Sequence, residues 1–193
     1  IAMNYTIDDI DKKMECKREL LVENNLPVNL NWPFLGMISR LTRQKGLDIV
    51  GKAIDEIMDL DLYFILLGTG EEEYHRLFSR IARKYSRKAA IHITFDNRLA
   101  HRIYAGCDLF LMPSRYEPCG LGQLISLAYG TAPVVNRTGG LADTIEEFDP
   151  EMGKGNGFLL SEYSASALVS VLKRAISVYK RKDSWQKLVK NMM

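Results

Sequence analysis

The sequence predicts an α/β fold, a three-layer domain in which helices cover both faces of a parallel sheet of about six strands. Short apolar runs alternate with longer amphipathic stretches of helical periodicity. The apolar runs lack the polar alternation of half-exposed strands, which indicates strands that are buried on both faces. Each helical stretch follows a turn of glycine or polar residues, as in repeated βαβ units.

The elements follow in order along the chain. Strands are predicted at residues 34–38, 63–67, 91–94, 109–112 and 132–135. The helices that follow these strands are predicted at residues 47–58, 72–85, 98–105, 120–130 and 140–147. Further helices are predicted at residues 12–24, 164–180 and 184–191, the last two after a glycine-rich turn at 153–157. The order of elements is that of a Rossmann-like layer.

Length and charge limit the function classes. A chain of 193 residues can bury one good core, and nothing in it marks a second domain. The 26 basic and 24 acidic side chains give a formal net charge of only +2, and no basic run with interleaved aromatic residues occurs. The sequence therefore argues against nucleic acid as a partner.

Cysteine usage and hydropathy indicate the compartment. The three cysteines, Cys16, Cys107 and Cys119, form no C-x-x-C pair, and their odd number favours free thiols in a reducing environment. No apolar run approaches the roughly 20 residues that span a bilayer, so no membrane partner is expected. The sequence predicts a cytoplasmic protein, or a plastid protein if its source is a plant.

The most informative segment is 113–123, which follows the apolar strand 109–112. Glu117 stands alone as a carboxylate between that strand and the next helix, where open α/β sheets form ligand sites. Gly120 and Gly122 leave backbone amides open at the helix start, and such amides favour an anion. Because Glu117 would repel a phosphate, it is better suited to accept hydrogen bonds from sugar hydroxyls. A phosphorylated sugar fits both halves.

Segment 39–46, after the first strand, carries three cations at the same sheet edge. Arg40 and Lys45 could hold a diphosphate, because a planar guanidinium and a mobile ammonium make complementary contacts with phosphate oxygens. The alternative is a solvated basic loop. Proximity to Glu117 in an open parallel sheet favours the phosphate site.

Two other glycine turns give weaker signals. Segment 68–70 lacks the third glycine of G-x-G-x-x-G, and the acidic residues 71–73 would repel phosphate, which favours a tight turn. The paired glycines of 137–143 would permit close approach of the backbone to a ligand, or a simple strand-to-helix turn. Phe95 could stack on a nucleobase or belong to the core. The histidines His75, His92 and His101 lack a metal-ligand spacing, so no metal site is predicted, and His75 and His101 are expected at the surface.

Four segments together resemble bacterial glycogen synthases and plant starch synthases. They are Ser39-Arg40-Leu41-Thr42-x-Gln44-Lys45-Gly46-Leu47, Leu67-Gly68-Thr69-Gly70, Pro113-Ser114-Arg115-Tyr116-Glu117-Pro118-Cys119-Gly120-Leu121 and Arg137-Thr138-Gly139-Gly140-Leu141-Ala142-Asp143-Thr144. Their order and spacing match that family across residues 33–147, and the likeness extends over nearly the whole chain. It covers only the C-terminal catalytic domain of the family.

The resemblance implies the donor-binding half of a GT-B glycosyltransferase, which moves glucose from a sugar nucleotide to an α-1,4-glucan end with retention of configuration. It implies that Arg40, Lys45 and Glu117 are the catalytic residues, the two cations on the diphosphate and Glu117 on glucosyl hydroxyls. The nucleotide-sugar contacts that it implies come from Phe95, Cys119, Gly120, Leu121, Gly122, Thr138, Gly139 and Gly140. Gly122 stands where many relatives have threonine. No cofactor and no metal is implied.

The resemblance also implies that a domain is missing. In the family an N-terminal domain carries a Lys-x-Gly-Gly-Leu motif and most of the acceptor groove, and neither is found here. Residues 1–30 are expected to be an interdomain segment plus a helix, and residues 164–193 the C-terminal helices. The isolated chain is expected not to elongate glucan. Alternatives are a non-catalytic nucleotide-sugar-binding module and the donor half of another GT-B glucosyltransferase. The choice between ADP-glucose and UDP-glucose stays open, although the wording of the motifs favours ADP-glucose.

Overall fold

The computed structural model describes all residues, 1–193, and contains six strands and eight α-helices. The strands are β1 (Phe34–Ile38), β2 (Tyr63–Leu67), β3 (Ala89–His92), β4 (Leu109–Met112), β5 (Ala132–Asn136) and β6 (Phe158–Leu160). The helices are α1 (Lys13–Glu23), α2 (Leu47–Asp59), α3 (Glu72–Lys84), α4 (Asn97–Gly106), α5 (Gly122–Ala128), α6 (Gly139–Thr144), α7 (Ala165–Lys180) and α8 (Lys182–Met192). Two 3₁₀-helices span Ile7–Lys12 and Arg43–Lys45.

All six strands are parallel and lie in the order β3-β2-β1-β4-β5-β6. The chain builds the sheet from β1 outward to β3, then crosses back and builds from β4 outward to β6. The direction of growth therefore reverses between β1 and β4. In open α/β sheets this reversal opens a crevice at the carboxyl ends of the two strands, which is the usual ligand site.

Alternate side chains of each central strand enter two different cores. In β1, Leu35 and Met37 join a cluster that includes residues of α2, α3, α7 and α8. Phe34, on the opposite face, joins residues of α1 and α4. Because both faces are covered, the central strands read as continuous apolar runs. The predicted three-layer α/β fold is confirmed.

Gly36 allows α4 to lie close to β1. A Cβ atom at this position would stand 2.8 Å from Sγ of Cys107 and 2.8 Å from Cγ2 of Ile103, closer than real Cβ contacts. A larger residue would push α4 away from the sheet. The spacing between β1 and α4, and with it the floor of the crevice, depends on this glycine.

Three elements differ most from the sequence prediction, and helix α5, at Gly122–Ala128, is shorter than the predicted 120–130. The third strand lies at Ala89–His92 rather than 91–94, because a turn at Tyr85 returns the chain to the sheet at Ala89, which pairs with Phe64. Helix α6 ends at Thr144 rather than near 147, because Ile145 is extended. The sixth strand, Phe158–Leu160, which the apolar runs did not locate, follows the glycine-rich turn at once.

Two buried lysines fix α1 to the amino ends of the strands. Lys17 is 1% exposed and its ammonium lies 2.7 Å from a carboxylate oxygen of Asp108. Lys13 is 7% exposed, and its ammonium donates to the carbonyls of Tyr104 and Ala105 and to the hydroxyl of Thr131. Burial lowers the pKa of Lys13 to about 8. This edge lies opposite the crevice.

Candidate functional site

A cavity of about 300 Å³ opens at the carboxyl ends of β1 and β4, where the strand order reverses. Its lining combines charged and apolar side chains and includes Arg40, Lys45, Tyr104, Glu117, Leu121 and Gly122. Five of the residues predicted from sequence as site residues lie outside this lining, namely Phe95, Cys119, Thr138, Gly139 and Gly140.

The loop after β1, residues 39–46, is pressed against the loop after β4. Gly46 adopts a left-handed conformation with φ of 77°, and a Cβ atom there would lie 2.0 Å from the carbonyl oxygen of Pro113. The amide of Arg115 donates to the carbonyl of Gln44 over 2.9 Å. The two loops that carry the predicted catalytic residues therefore form one rigid edge.

Lys45 and Glu117 meet across these loops as an ion pair. Nζ of Lys45 lies 2.5 Å from Oε2 of Glu117, and the hydroxyl of Ser114 donates to the same oxygen over 3.1 Å. Both side chains are mostly buried, with exposed fractions of 17% for Lys45 and 12% for Glu117. The carboxylate thus holds its negative charge next to a cation, while its other oxygen, Oε1, makes no hydrogen bond to protein.

Arg40 is the free cation of the cavity mouth. Its side chain is exposed and takes part in no ion pair or side-chain hydrogen bond. A guanidinium with five donors and no protein acceptor can bind an anion without breaking an existing contact. Arg40 and Lys45 therefore differ, since the first is available and the second is engaged with Glu117.

The segment before α5 offers backbone donors. Gly120 is left-handed with φ of 68°, and the amides of Gly120, Leu121 and Gly122 donate to no carbonyl or side chain. The first turn of α5 contains no acidic residue. Unpaired amides without a neighbouring negative charge are suited to an anion.

The side chain of Gln123 holds this segment in place through hydrogen bonds. It is fully buried, and Nε2 donates to the carbonyls of Cys119 and Gly120 and to the hydroxyl of Thr144. Sequence reasoning missed this role, because a glutamine in the first turn of a helix gives no distinguishing signal. The turn at Gly120 is therefore held in place by side-chain hydrogen bonds rather than by a bound ligand.

Gly139 and Gly140 lie behind Glu117. Cβ atoms at these positions would stand 2.2 Å from the carbonyl oxygen of Glu117 and 2.1 Å from that of Cys119. The amide of Gly140 donates to the carbonyl of Glu117 over 3.0 Å. The close approach that the sequence predicted for this pair is thus made to the Glu117 loop. Contact of Thr138, Gly139 and Gly140 with a ligand stays a prediction.

Phe95 is 86% exposed, so the alternative that placed it in the core is wrong. It follows β3 at the same sheet edge as the cavity. An exposed aromatic ring at this sheet edge is consistent with stacking on a flat ligand, and that role stays a prediction.

The turn Gly68–Gly70 supports the first loop. The amide of Gly70 donates to Nε2 of His75 over 3.1 Å, and the amide of Leu41 donates to the carbonyl of Thr69. A Cβ atom on Gly68 would lie 1.9 Å from the carbonyl oxygen of Ser39. The prediction of a tight turn is confirmed, and His75 lies at the surface with its side chain 27% exposed. His101 is exposed as predicted.

Arg115 lies outside the cavity lining and forms an ion pair with Asp48. Its Nη2 lies 2.6 Å from Oδ2 of Asp48, while Oδ1 of the same carboxylate accepts a hydrogen bond from the hydroxyl of Tyr163 over 2.6 Å. Burial alone would raise the pKa of Asp48, but the hydrogen bonds from Tyr163 and Arg115 hold it below its usual value. Sequence reasoning missed this cluster, because Asp48 reads as an ordinary acid in the first turn of α2.

The three cysteines are free thiols, as the sequence predicted, with Cys16 and Cys107 buried and Cys119 exposed. The structure contains no group of three or more His, Cys, Asp or Glu side chains that could hold a metal ion. None of its helices combines the length and the apolar character needed to cross a membrane.

Comparison with known proteins places this geometry in a family. The family model described as glycosyl transferases group 1 matches residues 22–192. The chain belongs to that family.

Members of the glycosyl transferases group 1 family resemble it over its full length. It is 50% identical over 193 residues to the glycogen synthase of Fervidobacterium nodosum and 50% identical over 194 residues to that of Thermosipho africanus. Each alignment covers 100% of this chain and 40% of the relative. The chain thus spans about two-fifths of the length of these curated relatives.

A solved structure shares the arrangement. The catalytic domain of starch synthase IV from Arabidopsis thaliana, bound to ADP and acarbose, superimposes with a TM-score of 0.93 at 31% identity. The superposition covers 100% of this chain and 41% of that one. The predicted resemblance to glycogen and starch synthases, and the GT-B class of the domain, are confirmed.

Proposed function

We propose that this chain is the donor-binding part of a glycogen or starch synthase, which transfers glucose from ADP-glucose or UDP-glucose to the non-reducing end of an α-1,4-glucan with retention of configuration. The observation that carries the proposal is the meeting of Arg40, Lys45 and Glu117 in one cavity at the reversal of strand order. The names of its relatives supply the reaction class.

The diphosphate of the donor would lie against Arg40 and the amides of Leu121 and Gly122. Arg40 has no protein partner, and those amides donate to no protein acceptor, so both can bind phosphate oxygens without losing an existing contact. Each charge-assisted hydrogen bond of this kind contributes about 1.5–3 kcal/mol. The phosphate end of the cavity is therefore prepared before the ligand arrives.

Lys45 would exchange partners when the donor binds. In the free chain its ammonium neutralises Glu117. Rotation of its flexible side chain toward the phosphates would leave Oε2 of Glu117 with Ser114 as its protein donor and open to glucosyl hydroxyls, while Oε1 has no protein donor. The same movement would supply the second cation to the leaving nucleotide.

The chemistry then requires fixed positive charge at the departing diphosphate. As the bond from sugar to phosphate breaks, negative charge grows on the phosphate oxygens and the sugar becomes oxocarbenium-like, so that Arg40 and Lys45 lower the barrier. Glu117 acts in this scheme by positioning the glucosyl group. We expect these two cations to suffice without a metal ion, so that a chelator leaves transfer unchanged in a full-length relative.

ADP-glucose is the preferred donor in this proposal. The residues of the motifs and the ADP bound in the plant starch synthase support it. Phe95 would stack on the base, and this contact alone does not separate adenine from uracil.

The acceptor glucan would bind mainly to a domain outside this chain, since the relatives are more than twice as long. Residues 1–30 would then form the link to that domain. We expect the purified chain to bind donor but not to elongate glucan. Elongation of glycogen by the chain alone at the rate of a full-length relative would refute this expectation.

Calorimetric titration with ADP-glucose, UDP-glucose and ADP tests the donor site. The wild type should bind ADP-glucose more tightly than ADP, and Glu117→Ala should abolish that preference. Arg40→Ala should lower the affinity for all three ligands about tenfold, or by about 1.4 kcal/mol. Lys52→Ala, which removes an exposed cation of α2, is the matched control.

Equal affinity of the wild type for ADP and ADP-glucose would favour the alternative, a nucleotide-binding module that does not recognise glucose. Equal titration curves for wild type and Arg40→Ala would show that the phosphates bind elsewhere.

A further inference from the structure

The loops that carry Lys45 and Glu117 are joined on the side that faces away from the cavity by a cluster of three side chains, Asp48, Arg115 and Tyr163. Asp48 lies in the first turn of α2, Arg115 two residues before Glu117, and Tyr163 just before α7. None of the three lines the cavity. The three residues come from separate parts of the chain, so the cluster connects segments that are distant in sequence.

The hydrogen bonds within the cluster are short and engage both carboxylate oxygens of Asp48. Asp48 accepts from Arg115 through one carboxylate oxygen and from Tyr163 through the other, each over 2.6 Å. The guanidinium carbon of Arg115 also lies 4.6 Å from the centre of the Tyr163 ring. A carboxylate that is bonded at both oxygens cannot turn without losing a hydrogen bond, which orients the Arg115 side chain.

The backbone around Arg115 carries this restraint to Glu117. The amide of Arg115 donates to the carbonyl of Gln44 over 2.9 Å, and Nε2 of Gln44 donates to the carbonyl of Tyr116 over 3.1 Å. Lys45 follows Gln44 and Glu117 follows Tyr116, so the residues next to the ion pair are fixed on both loops. Without the Arg115 side chain, the loops would keep these two hydrogen bonds, the ion pair and the packing of Gly46 against Pro113.

We propose that Asp48, Arg115 and Tyr163 form a positioning clamp that holds the Glu117 loop against the Lys45 loop, so that the carboxylate of Glu117 stands where it can discriminate a glucosyl group. The clamp touches neither ligand nor cavity. Its effect on the loops is independent of the proposed function, whereas its effect on discrimination rests on the proposed donor site. A loop that shifts by about 1 Å loses much of such discrimination.

Hydrogen exchange of the purified chain tests the effect on the loops. Asp48→Ala should speed exchange of the amides of Arg115 and Gly140 at least tenfold, because these amides donate to the carbonyls of Gln44 and Glu117. Tyr163→Phe should act in the same direction but less, since it keeps the ring beneath Arg115.

A second surface ion pair provides the matched control. Arg174 pairs with Glu147 over 2.9 Å, and its side chain is 44% exposed, against 43% for Arg115. Arg174→Ala should leave exchange of the two loop amides at the wild-type rate. Unchanged exchange in Asp48→Ala, or equal acceleration in Arg174→Ala, would overturn the clamp.

The ratio of the dissociation constants for ADP and ADP-glucose tests the effect on discrimination. In Arg115→Ala the ratio should fall to that of Glu117→Gln, and Arg115→Lys should recover only part of it, because lysine lacks the planar fork. A purely structural loss of folded protein weakens both ligands equally and leaves the ratio unchanged. An unchanged ratio in Arg115→Ala would therefore overturn the positioning role.

The two proposals fail in different ways. If the wild type binds ADP and ADP-glucose equally, the proposed recognition of glucose is wrong, and exchange of the loop amides alone decides on the clamp. If the wild type discriminates but the clamp variants behave like Arg174→Ala, the proposed function stands and the clamp is wrong.

Discussion

Nζ of Lys45 lies 2.5 Å from Oε2 of Glu117, although 72 positions separate the two residues in the chain. The pair joins the loops after β1 and β4, the neighbouring strands at which the order of the sheet reverses. Because each charge is neutralised by the other, an arriving anion meets Arg40 as the uncompensated cation of the cavity. In the proposed donor complex the second cation would become available to the phosphates once Lys45 turned away from Glu117.

Lys45→Ala should lower the affinity for ADP more than Arg40→Ala does. The substitution removes a cation and also leaves the mostly buried charge of Glu117 facing the phosphates. We expect a loss of about a hundredfold in calorimetric affinity, or about 2.7 kcal/mol. Adding Glu117→Gln should restore about tenfold of this loss. Equal losses in Lys45→Ala and Arg40→Ala, with no recovery in the double variant, would contradict the ion pair's role.

Phe95→Ala should leave stability unchanged and weaken nucleotide binding. The ring is 86% exposed, so its removal costs no core packing. Stacking of a base on an aromatic ring is worth about 1–3 kcal/mol, and we expect ADP to bind about tenfold more weakly. Inorganic pyrophosphate, which has no base, should bind as it does to the wild type. An equal loss for both ligands would show that Phe95 acts on the phosphate site instead.

The sequence predicted the elements of this site because each depends on a local pattern. The apolar run before Glu117, the absence of acidic residues after it and the cations at Arg40 and Lys45 are all read within short segments. The order of βαβ units then places both segments at one sheet edge. The positions of the strands could be predicted for the same reason, with two exceptions. A turn at Tyr85 precedes β3, and β6 has only three residues, so both give weak periodicity.

The pairings between segments could not be predicted in the same way. No local pattern shows that Lys45 binds Glu117, that Gly140 donates to the carbonyl of Glu117, or that Arg115 turns toward Asp48. These contacts depend on the register of β1 against β4 and on the packing of α2 beside α7. Sequence alone therefore indicated that Arg40, Lys45 and Glu117 lie at one sheet edge, but not which of their charges are paired.

Gly140→Ala should destabilise the protein by at least about 2 kcal/mol. The new Cβ would stand 2.1 Å from the carbonyl oxygen of Cys119, and backbone cannot yield as a side chain can. Urea unfolding measures the effect. Gly51→Ala is the control, because its Cβ meets only the end of the flexible Leu77 side chain. If Gly140→Ala is as stable as Gly51→Ala, the backbone contact behind Glu117 does not hold the loop.

Lys17→Met should lower the free energy of unfolding by about 3–5 kcal/mol, because it leaves the carboxylate of Asp108 buried without its cation. The amide of Phe34 donates to Asp108 over 2.8 Å but does not neutralise it. Asp108→Asn in the same chain should recover part of the loss in urea unfolding. Lys180→Met, which breaks an exposed pair with Asp61, should cost less than about 1 kcal/mol. Equal costs for the two lysines would rule out a buried charge as the cause.

Lys13 should make stability rise with pH above about 8. Burial lowers its pKa from 10.5 to about 8, so between these values the unfolded chain holds a proton that the folded chain has released. Stability increases with pH wherever the unfolded state binds more protons, here by about 1.4 kcal/mol per pH unit. Below pH 8 both states are protonated, and the contribution of Lys13 no longer changes.

The comparison of the wild type with Lys13→Met isolates this contribution. Burial raises the pKa of the Cys107 thiol, so above about pH 9 the unfolded thiol ionises first and stability falls, in the direction opposite to the effect of Lys13. Lys13 itself lowers the pKa of this thiol, so both chains should also carry Cys107→Ala, which removes the thiol from the comparison. The difference between their free energies of unfolding should then shift in favour of the chain with Lys13 by about 3 kcal/mol between pH 8 and 10.5. A difference that stays constant across this interval would mean that Lys13 keeps its proton when buried, held by its hydrogen bonds to Tyr104, Ala105 and Thr131.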